Sequence, residues 1–170
     1  MIFIFISFFI SSIYFLLLGA ISSKLIFNEN VKFKSNYYEF AIIGIIFASI
    51  IPFLLNFFLS LNRFLNDLIF ISPFLAVLLN TKLRNEINFK KIFIITLMVS
   101  LISTFLISYD NVYRPDAGSY HLPFISILND NKIIIGLSNL HFRFGHISII
   151  QYLSASFNNH IFLDNGILIP

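Results

Sequence analysis

The residues able to do chemistry gather between positions 110 and 146. Asp110-Asn-Val-Tyr113-Arg114-Pro115-Asp116-Ala-Gly118-Ser-Tyr120-His121-Leu-Pro123 comes first. Gly136-Leu-Ser-Asn139-Leu-His141-Phe-Arg143-Phe-Gly145-His146 follows it. A carboxylate in a partly dry site acts as a general base or ligates a divalent metal cation, and Asp116 fits either role. On the residues alone it fits the N-cap of the helix that follows better than either. Arg114 and Arg143 carry forked donors that match phosphate or pyrophosphate oxygens; the same forks also anchor a chain to lipid headgroups. His121 stands five positions after Asp116, as His146 does after His141. That spacing differs from the zinc pattern H-E-x-x-H. These histidines therefore read as partners of loop carbonyls, or one of them as a substrate-orienting group. Tyr120 reads as an interfacial aromatic. No P-loop, dinucleotide fingerprint or nucleophile elbow occurs.

The elements that must hold this cluster are set by composition. The chain is 58% hydrophobic and 11% charged, with mean hydropathy +0.88. Soluble domains carry about 25% charged residues, so a water-exposed fold is excluded. The 23 Phe are read as lipid-facing bulk, because Ile, Asn and Lys are abundant beside them while Trp and Cys are absent. Without Cys there are no disulfides, thiolate metal sites or Cys nucleophiles. The net charge of +3 is small and dispersed, which suits membrane topology and not nucleic acid.

Four apolar segments precede the cluster, at residues 2–23, 40–61, 64–80 and 92–109. The second contains Pro52 and the third Pro73, which membrane helices tolerate when neighbours satisfy the freed carbonyl. The last segment reaches roughly 27 Å at 1.5 Å per residue, about the hydrocarbon thickness. Lys24, Lys32 and Lys34 lie between segments one and two. Arg63 stands alone between two and three, and Lys82, Arg84, Lys90 and Lys91 lie between three and four. Cytoplasmic loops collect Lys and Arg. Both basic loops face the cytoplasm only if segments two and three each cross once. The N-terminus and residues 110–170 are then outside. Asp67 is expected at an interface, capping a short turn.

Residues 110–160 read as an extracytoplasmic loop. Phe124, Ile125 and Leu128 share one helical face, as do Ile147, Ile150, Leu153 and Phe157. Both patterns suit short amphipathic helices lying in the interface. Pro123 belongs in the first turn of the earlier helix, and Gly136 and Gly145 flank a turn-like region. Residues 161–170 read as the start of a further span, so a truncated or split polypeptide is expected. The fold class is all-α integral membrane.

The order Asp116-x-Gly118-x-Tyr120-His121-x-Pro123, then Gly136-Leu137-x-Asn139-Leu140-His141-x-Arg143-x-Gly145, resembles an uncharacterised family of bacterial multi-spanning membrane proteins. Those proteins in turn resemble the C-type superfamily of membrane glycosyltransferases. The resemblance implies the N-terminal part of a cytoplasmic-membrane enzyme using a polyprenyl-phosphate-linked sugar at the extracytoplasmic face. It puts Asp116 in the catalytic position, as base or as ligand of a divalent cation. Arg143 and Arg114 would meet donor phosphate, and Tyr120, His121, Asn139 and His141 would line the pocket. Further spans or a companion subunit would complete the site. The alternative is a non-enzymatic membrane protein, such as a transporter subunit or assembly scaffold.

Overall fold

A computed structural model describes residues 1–27, 37–109, 117–140, 142–145 and 148–169. All regular structure among these residues is helical. The helices are α1 (Ile2–Phe27), α2 (Tyr37–Asn56), α3 (Arg63–Leu79), α4 (Thr81–Glu86), α5 (Phe89–Tyr109), α6 (Leu122–Asp130) and α7 (Ile149–Ser156). A π-helical turn, Ala117–His121, leads into α6, and 3-10 turns occur at Leu137–Asn139, Phe142–Gly145 and Leu163–Leu168. Asparagine starts three of the helices. The Asn62, Asn80 and Asn88 side chains accept from the backbone N–H groups of Leu65, Leu83 and Lys91, satisfying donors that a helix start leaves free. Ser148 and Gln151 form a reciprocal capping box at α7, and Pro123 sits in the first turn of α6 as expected.

Three helices are long and apolar enough to cross a bilayer: Ile2–Ile26, Tyr37–Asn56 and Phe89–Tyr109. They keep large apolar side chains exposed, among them Phe3, Ile42, Ile46, Phe93, Ile102 and Phe105. So much outward apolar surface belongs in lipid, and the chain is an integral membrane protein. The helix expected at 64–80 forms as α3 with 17 residues. Several boundaries differ from the sequence expectation, and α1 continues to Phe27, four residues past the expected 23. Helix α5 begins at Phe89, three residues before the expected 92. Helix α2 runs from Tyr37 to Asn56 and not from 40 to 61. It stops because Asn56 draws the chain aside, its amide donating to the carbonyls of Leu59, Leu128 and Asn131. Residues 57–61, apolar except for Ser60, thus leave the helix, and Leu61 is wholly buried.

The chain divides into two compact units, Met1–Ala48 with Ile71–Asn111, and Ser49–Phe70 with Val112–Pro170. In the first unit, α1 packs along α5. Helices α1 and α2 approach backbone to backbone through paired glycines. A Cβ at Gly19 would run into the Phe40 carbonyl, and one at Gly44 into the Phe15 carbonyl. Small residues at such crossings are how apolar helices gain contact where lipid supplies no hydrophobic drive. Leu16, Leu17, Phe40, Val77, Leu83 and Ile92 fill the core. Lys24 and Glu86 pair at 3.0 Å on its surface.

The second unit is held by Leu61, Phe124, Ile125, Leu128, Tyr152 and Ala155. Phe70 meets Phe157 and Phe162 edge-on at 5.8 and 5.0 Å between centroids. This corrects the expectation that α6 and α7 turn their apolar faces to lipid. Phe124, Ile125, Leu128, Leu153 and Phe157 are buried within the protein, while Ile150 stays exposed. Protein contact removes the same apolar area from water as lipid would, and it brings hydrogen-bonding side chains into reach of buried carbonyls.

Candidate functional site

Asp116, Arg114, His141 and His146 lie outside the described residues. Tyr120, His121 and Arg143 come together. The π-helical turn carries Tyr120 and His121, whose ring centroids are 4.1 Å apart. Arg143, from the Phe142–Gly145 turn, sets its guanidinium over the Tyr120 ring at 4.8 Å and near the Phe142 ring at 5.7 Å. Stacking of this kind holds a guanidinium plane in a fixed orientation.

His121 is oriented from α7. The Gln151 amide lies 3.2 Å from His121 Nδ1, and Gln151 Oε1 accepts from the Ser148 backbone N–H at 3.0 Å. The second bond fixes which end of the amide faces the ring: the NH2 end. An NH2 group only donates, so Nδ1 accepts and the neutral imidazole carries its proton on Nε2. His121 therefore offers an N–H donor on its far side. Sequence spacing named His121 but not Gln151, whose only local signal is its place three residues after Ser148.

Asn139 closes the Leu137–Asn139 turn, which packs against the Phe142–Gly145 turn that carries Arg143. Ahead of it Gly136 adopts φ +90°, the left-handed conformation that glycine takes without strain. The turn expected between Gly136 and Gly145 is present, and Gly145 packs against Ser138.

A second polar constellation was not legible beforehand. Asn66 is fully buried, and its amide faces the carbonyls of Leu61, Ala155 and Asn158 at 2.8–2.9 Å. Asn129 donates to Leu61 and Ala155 as well. Asn158 donates to Asn129 Oδ1 at 2.9 Å and accepts from Arg63 Nε at 3.3 Å. Arg63 pairs with Asp164 at 2.6 Å. Asp67 accepts from both the backbone N–H and the imidazole of His160, at 3.0 and 2.6 Å. It thus ties α3 to the turn after α7 within the second unit and does not merely cap a local turn. Burial pushes the Tyr152 hydroxyl pKa up, because ionising it would place a charge in the apolar core. The abundance of Asn in the sequence resembled compositional bias, so these amides carried no signal.

Among the described residues, no three His, Cys, Asp or Glu side chains come together to hold a metal ion. Asp116, the residue expected to ligate a cation, is outside them. The chain belongs to the family described as a domain of unknown function (DUF8201), whose sequence profile matches residues 1–169. No curated protein and no solved structure matches it.

Proposed function

We propose that this member of the family supplies part of a glycosyltransferase-like site on the extracytoplasmic side of a bacterial cytoplasmic membrane. The observation that carries the reading is the Arg143–Tyr120–His121 group, whose Tyr120 lies four positions after Asp116 in the sequence. A stacked guanidinium and an imidazole N–H suit the phosphate of a polyprenyl-linked sugar. Asp116 takes the proton of the acceptor hydroxyl. The acceptor oxygen bonds to the anomeric carbon as the bond from that carbon to the phosphate oxygen breaks, and the lipid phosphate leaves. Arg143 and Arg114 bear the charge that grows on the departing phosphate. Tyr120, His121, Asn139 and His141 border the sugar in this reading. A divalent cation held by Asp116 would supply the same charge neutralisation.

In this reading α3 crosses the membrane as a fourth span, its 17 residues reaching roughly 26 Å. The basic loops around Lys24 and Lys82 face the cytoplasm. Cysteines introduced at Ser119 and Asn85 then label from opposite sides, and labelling from one side removes the four-span topology. The catalytic claim is tested by Asp116→Asn in the native cell, with protein level followed by immunoblot. Loss of a general base lowers transfer about 100-fold or more, seen as missing surface glycan. Unchanged glycan at equal protein level overturns the enzyme reading in favour of a non-enzymatic membrane protein.

A further inference from the structure

We propose that the cleft of the second unit, bordered by the start of α3, by α6 and by the Leu163–Leu168 turn, binds a neutral polyhydroxylated ligand of saccharide type. The cleft holds about 690 Å³, within the ~300–1,000 Å³ typical of small-molecule sites. Its polar lining comes from Arg63, Ser126, Asn129, Asp130, Asn158 and Asp164. Ile125 and Ile167 contribute apolar surface beside them.

Charge selects the ligand. One guanidinium and two carboxylates leave the lining net negative, which repels phosphates and carboxylates. Metal chemistry lacks donors, since no three His, Cys, Asp or Glu side chains assemble among the described residues and hard divalent cations demand about six oxygens. A ligand with many hydroxyls meets both needs of the lining. Asp130 accepts only the Ser126 hydroxyl, at 3.4 Å, and makes no ion pair among the described residues. An ionised carboxylate is acceptor-only with two oxygens, a match for two adjacent hydroxyl donors. The guanidinium of Arg63 uses Nε on Asn158 and one Nη on Asp164. Its remaining N–H groups face hydroxyl lone pairs, and the isoleucines face the C–H side of a sugar ring.

The lining is also fixed before any ligand arrives. Asn129 is held by the carbonyls of Leu61 and Ala155, Asn158 by Asn129, and Arg63 by Asn158 and Asp164. Polar groups locked by their own hydrogen bonds cost little entropy when a ligand binds. The proposal goes beyond the transfer chemistry, since nothing in it depends on Asp116.

Saturation-transfer NMR on the full chain in lipid nanodiscs tests it, without sugar-headed detergents. The probes are the methyl glycosides of glucose, galactose, mannose and N-acetylglucosamine, with choline as cationic control. At least one glycoside is expected to receive saturation. Asp130→Ala and Ser126→Trp, the second filling the cleft, each weaken it about tenfold or more while helix content by circular dichroism stays unchanged. Absence of any glycoside signal overturns the proposal, as does a signal that survives either variant or one from choline alone. Binding is read without turnover, so this proposal and the Asp116 reading fail separately.

Discussion

The two units satisfy their polar groups in opposite ways. In the first, hydroxyls mostly turn back on their own helix, with Ser108 also reaching the Met1 sulfur. Thr96, Ser100, Thr104 and Ser108 on α5 each donate to the carbonyl four residues earlier, and Ser7 and Ser23 do the same on α1. In the second, side chains reach far along the sequence. Asn56 bonds to Asn131, Asn66 to Ala155, Arg63 to Asp164 and Asp67 to His160. A helix in lipid can complete its hydrogen bonds alone. Short helices and irregular turns cannot, and they need amides from elsewhere to cap their carbonyls. The first unit is therefore held chiefly by apolar fit, whereas the apolar core of the second is cross-linked by a polar frame.

The sharpest way to break this contrast is Asn66→Ala. The Asn158 carbonyl loses its side-chain donor, and those of Leu61 and Ala155 keep only Asn129, at a cost of about 1–3 kcal/mol in this buried site. Hydrogen exchange is expected to rise at Leu61 and at the end of α7. Unchanged exchange there would show that the amide frame is dispensable. In the first unit the comparable weak point is apolar fit. Gly19→Leu pushes α1 off the Phe40 carbonyl and destabilises by about 1–3 kcal/mol, read as a lower melting temperature in detergent. A neutral result would mean that the helices do not cross there in the membrane. Asp67→Ala removes both contacts to His160, whose side chain is 63% exposed. Solvent screening limits the loss to about 1 kcal/mol, measured as earlier proteolysis after α7. The smallest effect is expected for Ser100→Ala, within about 0.5 kcal/mol, because its hydroxyl supplements a carbonyl already used by the helix. A large loss in the same melting assay would show that hydroxyls on α5 bind outside their own helix.

What could be read in advance follows the same division. Helices α1, α2 and α5 were legible as long apolar runs, since their stability in lipid needs nothing beyond their own backbone. The Pro123 helix start and the glycine turn at Gly136 were legible too, because both are rules about one residue's φ. The end of α2 was missed by five residues. Apolarity continues through Leu61, and only contacts with Leu128 and Asn131 stop the helix at Asn56. At the candidate site, residue type marked His121 and Arg143, and the family resemblance added Tyr120. Neither revealed that Arg143 stacks on Tyr120 or that Gln151 fixes the His121 tautomer.

The sequence by itself determined that this chain lives in a membrane and where its longest helices run, because hydropathy and helical period act locally. It also marked where the chemically capable residues lie. Tertiary structure alone decided which apolar faces meet protein instead of lipid, and which asparagines become the frame of the second unit. An amide side chain carries the same composition whether it is solvated or buried. Its value is set by which carbonyls the folded chain brings within 3 Å of it, as Asn66 finds at Leu61, Ala155 and Asn158.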